Sequence, residues 1–308
     1  MNKKLGIYIL KRVLLAIVTL FIVALLTFIL MHSVPGGPFN KEKAVTPAAL
    51  ETLKKMYGLD KPYYQQFLIY LKNIVTFDFG PSLKYRGVDV TEAIMTGFAT
   101  SAIVGGIAVI LAIIIGTVLG SIAAVKHNKW QDKVIMVFST ACVAMPSFVI
   151  ASILLILFGV KIPIFATRGD SVSGLVLPTI SLSLYPMSYI TRLSRSSMLD
   201  VLGQDYIRTA LAKGVSKNKI IFKHALKNSL IPVITYAGPM TAFILTGSLV
   251  VESIFSVPGL GRRFVESVLS RDYPMIMGTT SFLAIIVIFM TLLSDILYKV
   301  VDPRVKLE

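Results

Sequence analysis

The stretch Asp205–Pro232, DYIRTALAKGVSKNKIIFKHALKNSLIP, lies between two strongly apolar runs and contains two helical pieces. Asp205 is placed to cap a helix over Tyr206–Lys213, because its carboxylate can accept from the bare N–H groups of the first turn. Gly214 supplies the left-handed residue that ends this helix. Ser216 is placed to cap a second helix, whose Lys217, Lys219, Lys223 and Lys227 keep it at a membrane surface. Pro232 falls in the first turn of the next apolar run, where its missing N–H costs nothing. A two-turn helix held on the water side of a membrane bundle is a part that touches something else.

The rest of the chain makes the membrane reading necessary. Hydrophobic residues are 55% of the 308 and charged residues 15%, and the mean hydropathy is +0.77, too apolar for a soluble domain. Several runs reach the roughly 20 apolar residues that cross a bilayer. The formal net charge of +15 would point to nucleic acid in a soluble protein. Here Lys and Arg gather between the apolar runs, where the positive-inside rule accounts for them. Single-strand binding also wants aromatics among the basic residues, and Arg208–Lys227 offers only Phe222.

Cys142, the one cysteine, lies in an apolar run, which excludes an intrachain disulfide and argues against a catalytic thiol. His32, His127 and His224 are far apart and lack metal-ligand spacing. There is no P-loop, dinucleotide fingerprint or nucleophile elbow. The chain therefore reads as no enzyme by itself, with no cofactor or metal of its own.

Residues 1–12 carry Lys3, Lys4, Lys11 and Arg12, and an uncharged run follows from Val13 to Met31. A secretory signal would have a shorter apolar core and a small-residue cleavage site. The reading is a retained first span with its N-terminus in the cytoplasm. Residues 32–97 form a long outer segment with helices of its own. Thr46 and Pro47 start one helix and Gly58 ends it. Pro62 begins another, with Phe67, Leu68, Leu71, Ile74 and Val75 at amphipathic spacing. Asp89 and Glu92 make a capping-box-like start to the helix that leads into the second span. The segment reads as a small lid on the bundle or at the interface, with a docking surface for an external partner as the alternative.

The second span covers about Phe98–Val125, with Gly116 and Gly120 at the GxxxG spacing that lets another helix come close. Lys126–Lys133 is a short basic loop, and the third span, about Val134–Val160, is expected to kink at Pro146. The fourth covers about Gly174–Ile190, with Arg192 and Arg195 flanking the insert beyond it. The fifth, about Leu230–Val251, is the most polar and is the first candidate to line a route. Phe148, Thr241 and Thr246 are the candidate path residues. Pro258, Gly259 and Gly261 mark a tight outer turn. The last span is about Met275–Leu297, where Asp295 is placed to pair with Lys299. Asp295 and Glu252 sit near span ends within reach of water, so neither marks a buried ion relay.

The segments read as inner hold four, three, eight and three Lys and Arg, against eight, two and three outside. The first outer loop is too long for the rule to bind it, and without it the inner excess is clear. The expectation is an all-α integral membrane protein with six transmembrane helices and both termini in the cytoplasm. Residues 1–31 form the first span and its lead, 32–97 the outer loop, 98–298 a core of five spans with the insert at 203–229, and 299–308 a tail.

Arg208-Thr209-Ala210-Leu211-Ala212-Lys213-Gly214, with Leu230-Ile231-Pro232 downstream, resembles the cytoplasmic EAA motif of ABC importer permeases, in its peptide-transport version. Three further stretches resemble the B-type permease subunits of oligopeptide (Opp) importers. They are Pro35-Gly36-Gly37-Pro38-Phe39, Asp78-Phe79-Gly80-Pro81-Ser82-Leu83-Lys84-Tyr85, and Glu252-Ser253-Ile254-Phe255-Ser256-Val257-Pro258-Gly259-Leu260-Gly261. The resemblance runs in order over essentially the whole chain. Arg208 stands where the general motif has glutamate, Thr209 where it has its first alanine, and the Gly214-to-Pro232 interval is longer.

The resemblance implies a type I (MetI-like) permease bundle in the bacterial plasma membrane, paired with a second homologous permease to form the translocation path. Two cytoplasmic ATPase subunits would bind ATP and Mg, and an extracellular peptide-binding protein would deliver substrate. Asp205, Tyr206, Arg208, Thr209, Ala210, Lys213 and Gly214 would form the coupling helix, seated in a cleft on one ATPase. One rival is a permease for dipeptides, glutathione or nickel complexes. Another, of a different class, is a secondary transporter driven by an ion gradient, which predicts mid-membrane ionisable residues and inverted repeats. A third is a basic surface helix that only binds anionic lipid.

Overall fold

The computed structural model describes residues 3–33, 51, 55 and 58–301, with side chains over 10–33, 51, 55 and 58–294. The Thr46–Pro47 helix start, the 35–39 motif, the Asp295–Lys299 pair and the tail beyond 301 lie outside the described residues. Apart from one isolated bridge between Pro81 and Asp89, the regular elements described are helical. They are α1 (Lys3–Ser33), α2 (Tyr63–Thr76), α3 (Val90–Val125), α4 (Trp130–Ala144) and α5 (Ser147–Leu154), which continues as a π-helical stretch, Leu155–Lys161. Then come α6 (Val176–Leu202), the insert helix α7 (Asp205–Ala212), α8 (Lys217–Lys219), a second π-helical stretch (Ile220–Ala225) and α9 (Leu226–Ser229). The chain ends with α10 (Ile231–Leu245), α11 (Leu249–Ile254), α12 (Leu260–Ser270) and α13 (Tyr273–Val301).

The chain divides into two compact units, one from Met1–Ala99 and Gly259–Ile288, the other from Thr100–Pro258 and Phe289–Lys306. The first has a core of Phe28, Tyr70, Ile74, Phe79, Ile94, Leu260 and Phe282. In the second, Val109, Ala112, Met187, Ile190, Val233 and Met240 join α3, α6 and α10.

Among the described residues, four helices are long and apolar enough to cross a membrane: Leu10–Ser33, Val90–Val125, Ile231–Ile254 and Tyr273–Ser294. The pair Trp130–Ala144 and Ser147–Lys161 makes a fifth if its two arms, 108° apart, count as one span. α6 has the length, 27 residues or about 40 Å, but not the apolarity. α4, α5, α10 and α11 pack on it and bury much of its polar surface, leaving a stripe through Tyr185, Tyr189, Arg192 and Asp200 exposed. Three of its hydroxyls close on nearby backbone: Thr179 donates to Leu175 O (2.6 Å), Ser183 to Ile180 O (2.8 Å) and Thr191 to Met187 O (2.8 Å). Arg192 and Arg195 lie on this helix, which runs on to Leu202, well past the expected end at Ile190.

Other expectations are corrected by local geometry. Pro146 does not kink one helix; Met145 is extended (φ −81°, ψ 134°), α4 stops before it and α5 starts afresh after it. The fifth span is broken at Thr246–Ser248, where Gly247 takes φ +85° and Ser248 accepts from the Val251 N–H at 3.2 Å to restart the helix. Glu252 is not at a watery end: it is 4% exposed and its Oε1 accepts from Ser101 Oγ at 2.7 Å. A Cβ on Gly247 would lie 2.5 Å from that same Oε1, so the glycine makes room for the carboxylate. On α2 the buried stripe is Phe67, Tyr70, Leu71 and Ile74, while Leu68 and Val75 are exposed. Asp89 does cap α3, accepting from the Glu92 N–H at 2.9 Å.

Candidate functional site

The insert begins one residue earlier than its sequence suggested. Gln204 is the extended N-cap, without a side-chain bond, and Asp205 is the first helical residue, its charge suited to the positive end of the helix dipole. The far end is as expected. Gly214 takes φ +76°, its N–H bonds Leu211 O at 3.0 Å, and the Val215 N–H bonds Ala210 O at 3.1 Å. Those two bonds form a Schellman motif, and they make Ala210 and Gly214 parts of one device. Ser216 holds the N-cap position of α8 without a side-chain bond, and Pro232 sits in the first turn of α10.

α7 is held from one side. Ile207 is its buried residue, Ala210 is half-buried, and Tyr206 accepts from Asn228 Nδ2 at 2.9 Å. Asp205, Arg208, Thr209 and Lys213 are exposed, and so are the apolar Leu211 and Phe222. The Arg208–Asp205 pair, at 3.8 Å and fully in solvent, adds little. Beneath α7, Ala225 and Ile221 pack with Ala124, Met198 and Leu199, tying the insert to α3 and α6.

A charged clasp missed in the sequence stands beside this base. Arg195 donates Nε to Asp132 Oδ1 (2.6 Å) and Nη2 to Asp132 Oδ2 (2.8 Å), and Asp132 also takes the Asn128 N–H at 2.9 Å. Arg195 Nη2 lies 3.0 Å from His127 Nδ1, which must accept because a guanidinium only donates. Asp132 is 3% exposed, so the pair joins the start of α4 to α6 with little competition from water. The spacing of Lys126–Lys133 showed a basic loop and concealed its one acid. The GxxxG pair serves the same junction. A Cβ on Gly116 would lie 2.7 Å from Met187 O, and one on Gly120 would lie 2.5 Å from Thr191 O and 2.6 Å from Ser194 Cβ.

A cleft of about 730 Å³ opens in the same unit, lined by the α4–α5 break at Met145–Ser147 and by Ser181, Tyr185, Tyr236, Met240, Phe243 and Ser248. Pro146, Pro186 and Pro239 all border it. Pro186 leaves the Leu182 carbonyl without its helical partner, and Leu182 lines the cleft. Phe148, Thr241 and Thr246 are not among its lining residues. Phe148 is exposed, while Thr241 and Thr246 bond back to Ala237 O (2.6 Å) and Phe243 O (2.7 Å). Of the 252–261 stretch, the left-handed residue is Ser256 (φ 51°) and not a glycine. Pro258 is exposed, Gly259 is the extended N-cap of α12, and Gly261 is buried in its first turn.

Residues 116–307 match the family of binding-protein-dependent transport system inner membrane components, and residues 6–85 match the N-terminal model for such membrane components. The dipeptide transport system permease protein DppB of Bacillus subtilis (strain 168) is 46% identical over 302 residues, 98% of each chain. The oligopeptide transport system permease proteins OppB of Salmonella typhimurium and Haemophilus influenzae are 40% and 39% identical, over 97% of this chain and 99% of theirs. Likeness of that extent places the chain in the family of binding-protein-dependent transport system inner membrane components, as an ABC importer permease and a multi-pass protein of the bacterial plasma membrane.

Proposed function

We propose that this chain is one of two permease subunits of an ATP-driven importer of oligopeptides, coupled through α7 to a cytoplasmic ATPase. The observation that carries the coupling role is the build of the insert. A two-turn helix is closed by a Schellman motif, rests on Ile207 and leaves Leu211 bare, as the following π-helical stretch leaves Phe222, in a setting otherwise suited to water. Its base is packed against Met198 and Ala124, so a push on α7 moves α6 and α3 with it. Closure of two nucleotide-loaded ATPases would draw two such helices together and rock the permeases between inward- and outward-facing states. The free energy difference between those states then comes from nucleotide bound in the partner chains.

Six helices cross the membrane in this reading, with α4 and α5 as one broken span, α6 as the central one, and both termini and α7 in the cytoplasm. The 730 Å³ cleft is this chain's share of the route, with Tyr185, Tyr236 and Phe243 as its first contacts. Phe148, Thr241 and Thr246 join it only if the spans turn between states. Cysteines at these positions should then change their labelling with nucleotide. Unchanged labelling removes them from the route.

The PGGPF and DFGPSLKY stretches favour oligopeptides, whereas the 46% and 43% identical relatives named as dipeptide permeases favour a dipeptide importer as the second reading. The test is ATPase stimulation of the reconstituted complex, with its binding protein, by peptides of two to five residues. Stimulation by the longer peptides is expected. A response to dipeptides alone selects the second reading, and solute movement by the isolated chain would end both.

A further inference from the structure

The contacts of α2 form a pair of rulers. Gln66 Oε1 lies 3.1 Å from the ring of His32, next to the Ser33 end of α1. Phe67 then meets Phe28 and Phe21, with ring centroids 5.3 and 5.8 Å apart. Phe21 is about 18 Å along the helix from Ser33. On α13, the Tyr70 hydroxyl lies 2.6 Å from Ser281 Oγ, and the Phe77 ring lies 5.8 Å from that of Phe282, about 13 Å past Tyr273. The rulers start level, because the Tyr273 hydroxyl donates to Met31 O at 3.1 Å. Half the hydrocarbon layer is about 15 Å thick, so α2 runs down through most of one leaflet.

The chain returns without a helix, over residues 77–83, to the start of α13. Irregular backbone at membrane depth is tolerated only where its donors are matched. The Phe77 and Asp78 N–H groups bond Asn73 O, Phe79 bonds Thr91 Oγ1 (3.2 Å) and Gly80 bonds Asp78 Oδ1 (3.2 Å). Ser82 bonds Val88 O (2.9 Å), Leu83 bonds Oδ1 of the buried Asp272 (3.1 Å), and Pro81 has no N–H. The Ser82 hydroxyl also donates to Asp272. Every N–H of the return over 77–83 thus has a protein acceptor, the carboxylate of the exposed Asp78 among them.

We propose that residues 62–83 form a re-entrant hairpin in the outer leaflet, with Tyr64, Leu68 and Val75 of α2 packed against lipid acyl chains. Leu68 and Val75 are 60% and 85% exposed, a poor surface in water and a suitable one in hydrocarbon. The face continues the bare side of α1, since the half-exposed Phe21 is itself a neighbour of Phe67. Lys72 is exposed on the same side. Side chains lean towards a helix's N-terminus, here the headgroup end, so its ammonium snorkels to the surface. A soluble partner docking from water does not reach this depth. The name "outer" follows the topology proposed above; depth does not, and the test below reads depth alone.

The test uses the whole importer complex in lipid nanodiscs, with Trp130→Phe removing the one tryptophan of this chain and each signal read as the difference from the complex that carries Trp130→Phe alone. Leu68→Trp and Val75→Trp report from α2, and Val172→Trp, from an exposed loop, is the aqueous control. Brominated-chain phosphatidylcholine is expected to quench both α2 tryptophans and spare the control, with iodide doing the reverse. Quenching of Leu68→Trp and Val75→Trp by iodide would return α2 to the water, and quenching by neither would mean that another chain covers it; either result overturns the proposal. If a tryptophan variant fails to assemble, Leu68→Cys and Val75→Cys in a Cys142→Ser background give the same reading. Resistance to an aqueous maleimide with labelling by a membrane-soluble one supports the hairpin, and rapid aqueous labelling or resistance to both refutes it.

Discussion

At the scale of single residues, Gly214 and the Arg195–Asp132 clasp carry the sharpest expectations. A Cβ on Gly214 would meet nothing within 4 Å, so space does not forbid a side chain there. The left-handed backbone does, at about 1–2 kcal/mol for most residues and less for asparagine. Gly214→Asn should therefore keep the fold and most uptake. Gly214→Asp has the same shape with a negative charge and should abolish peptide uptake while membrane insertion is unchanged. Equal uptake by the two variants would detach Gly214 from any docking surface. Ala210→Arg, at the other end of the same Schellman motif, should behave like the aspartate. For the clasp, Asp132→Ala leaves a partly buried guanidinium without its counter-charge and with only the His127 ring beside it, a loss on the order of 3 kcal/mol. Arg195→Lys keeps the charge but not the two-pronged fit. Thermal unfolding in detergent should rank wild type above Arg195→Lys, and Arg195→Lys above Asp132→Ala.

Helix against helix, the decisive contact is the one that Gly116 and Gly120 allow between α3 and α6. Backbone oxygens of α6 lie within 2.7 Å of where their Cβ atoms would be, and backbone cannot move aside as the tip of a side chain can. Gly120→Leu should thus disrupt the junction under the insert and prevent assembly with the partner subunits, whereas Gly106→Ala, where the added Cβ meets nothing, should be silent. Co-purification of the complex reads both. The breaks at Pro146 and Gly247 belong to the same scale. Proline removes a donor and the left-handed glycine ends a turn, and both breaks border the cleft or its edge.

For the molecule as a whole, the six-span topology makes a plain prediction. A cysteine at Lys217 should label with an impermeant maleimide only in inverted vesicles, and one at Val172 only in right-side-out vesicles. The same side for both would require an even number of crossings between them and dismantle the coupling scheme. How much of this was readable varied by element. The α7 stop at Gly214 and the Asp89 cap were legible because each depends on neighbours a few residues away, and Gly116 and Gly120 showed by their spacing that a helix could come close but not which one. The buried Glu252 was not, because its partner Ser101 is far off in the chain.

Sequence alone determined the solvent, the helical class and the family, since apolar runs, basic loops and the 205–232 pattern are properties of composition and short spacing. It misjudged where polarity means exposure. α6 is polar and central, Asp132 is charged and covered, and Leu68 is apolar and bare. Those assignments depend on what other helices bring to each face. Only the folded chain decides whether a side chain meets protein, lipid or water.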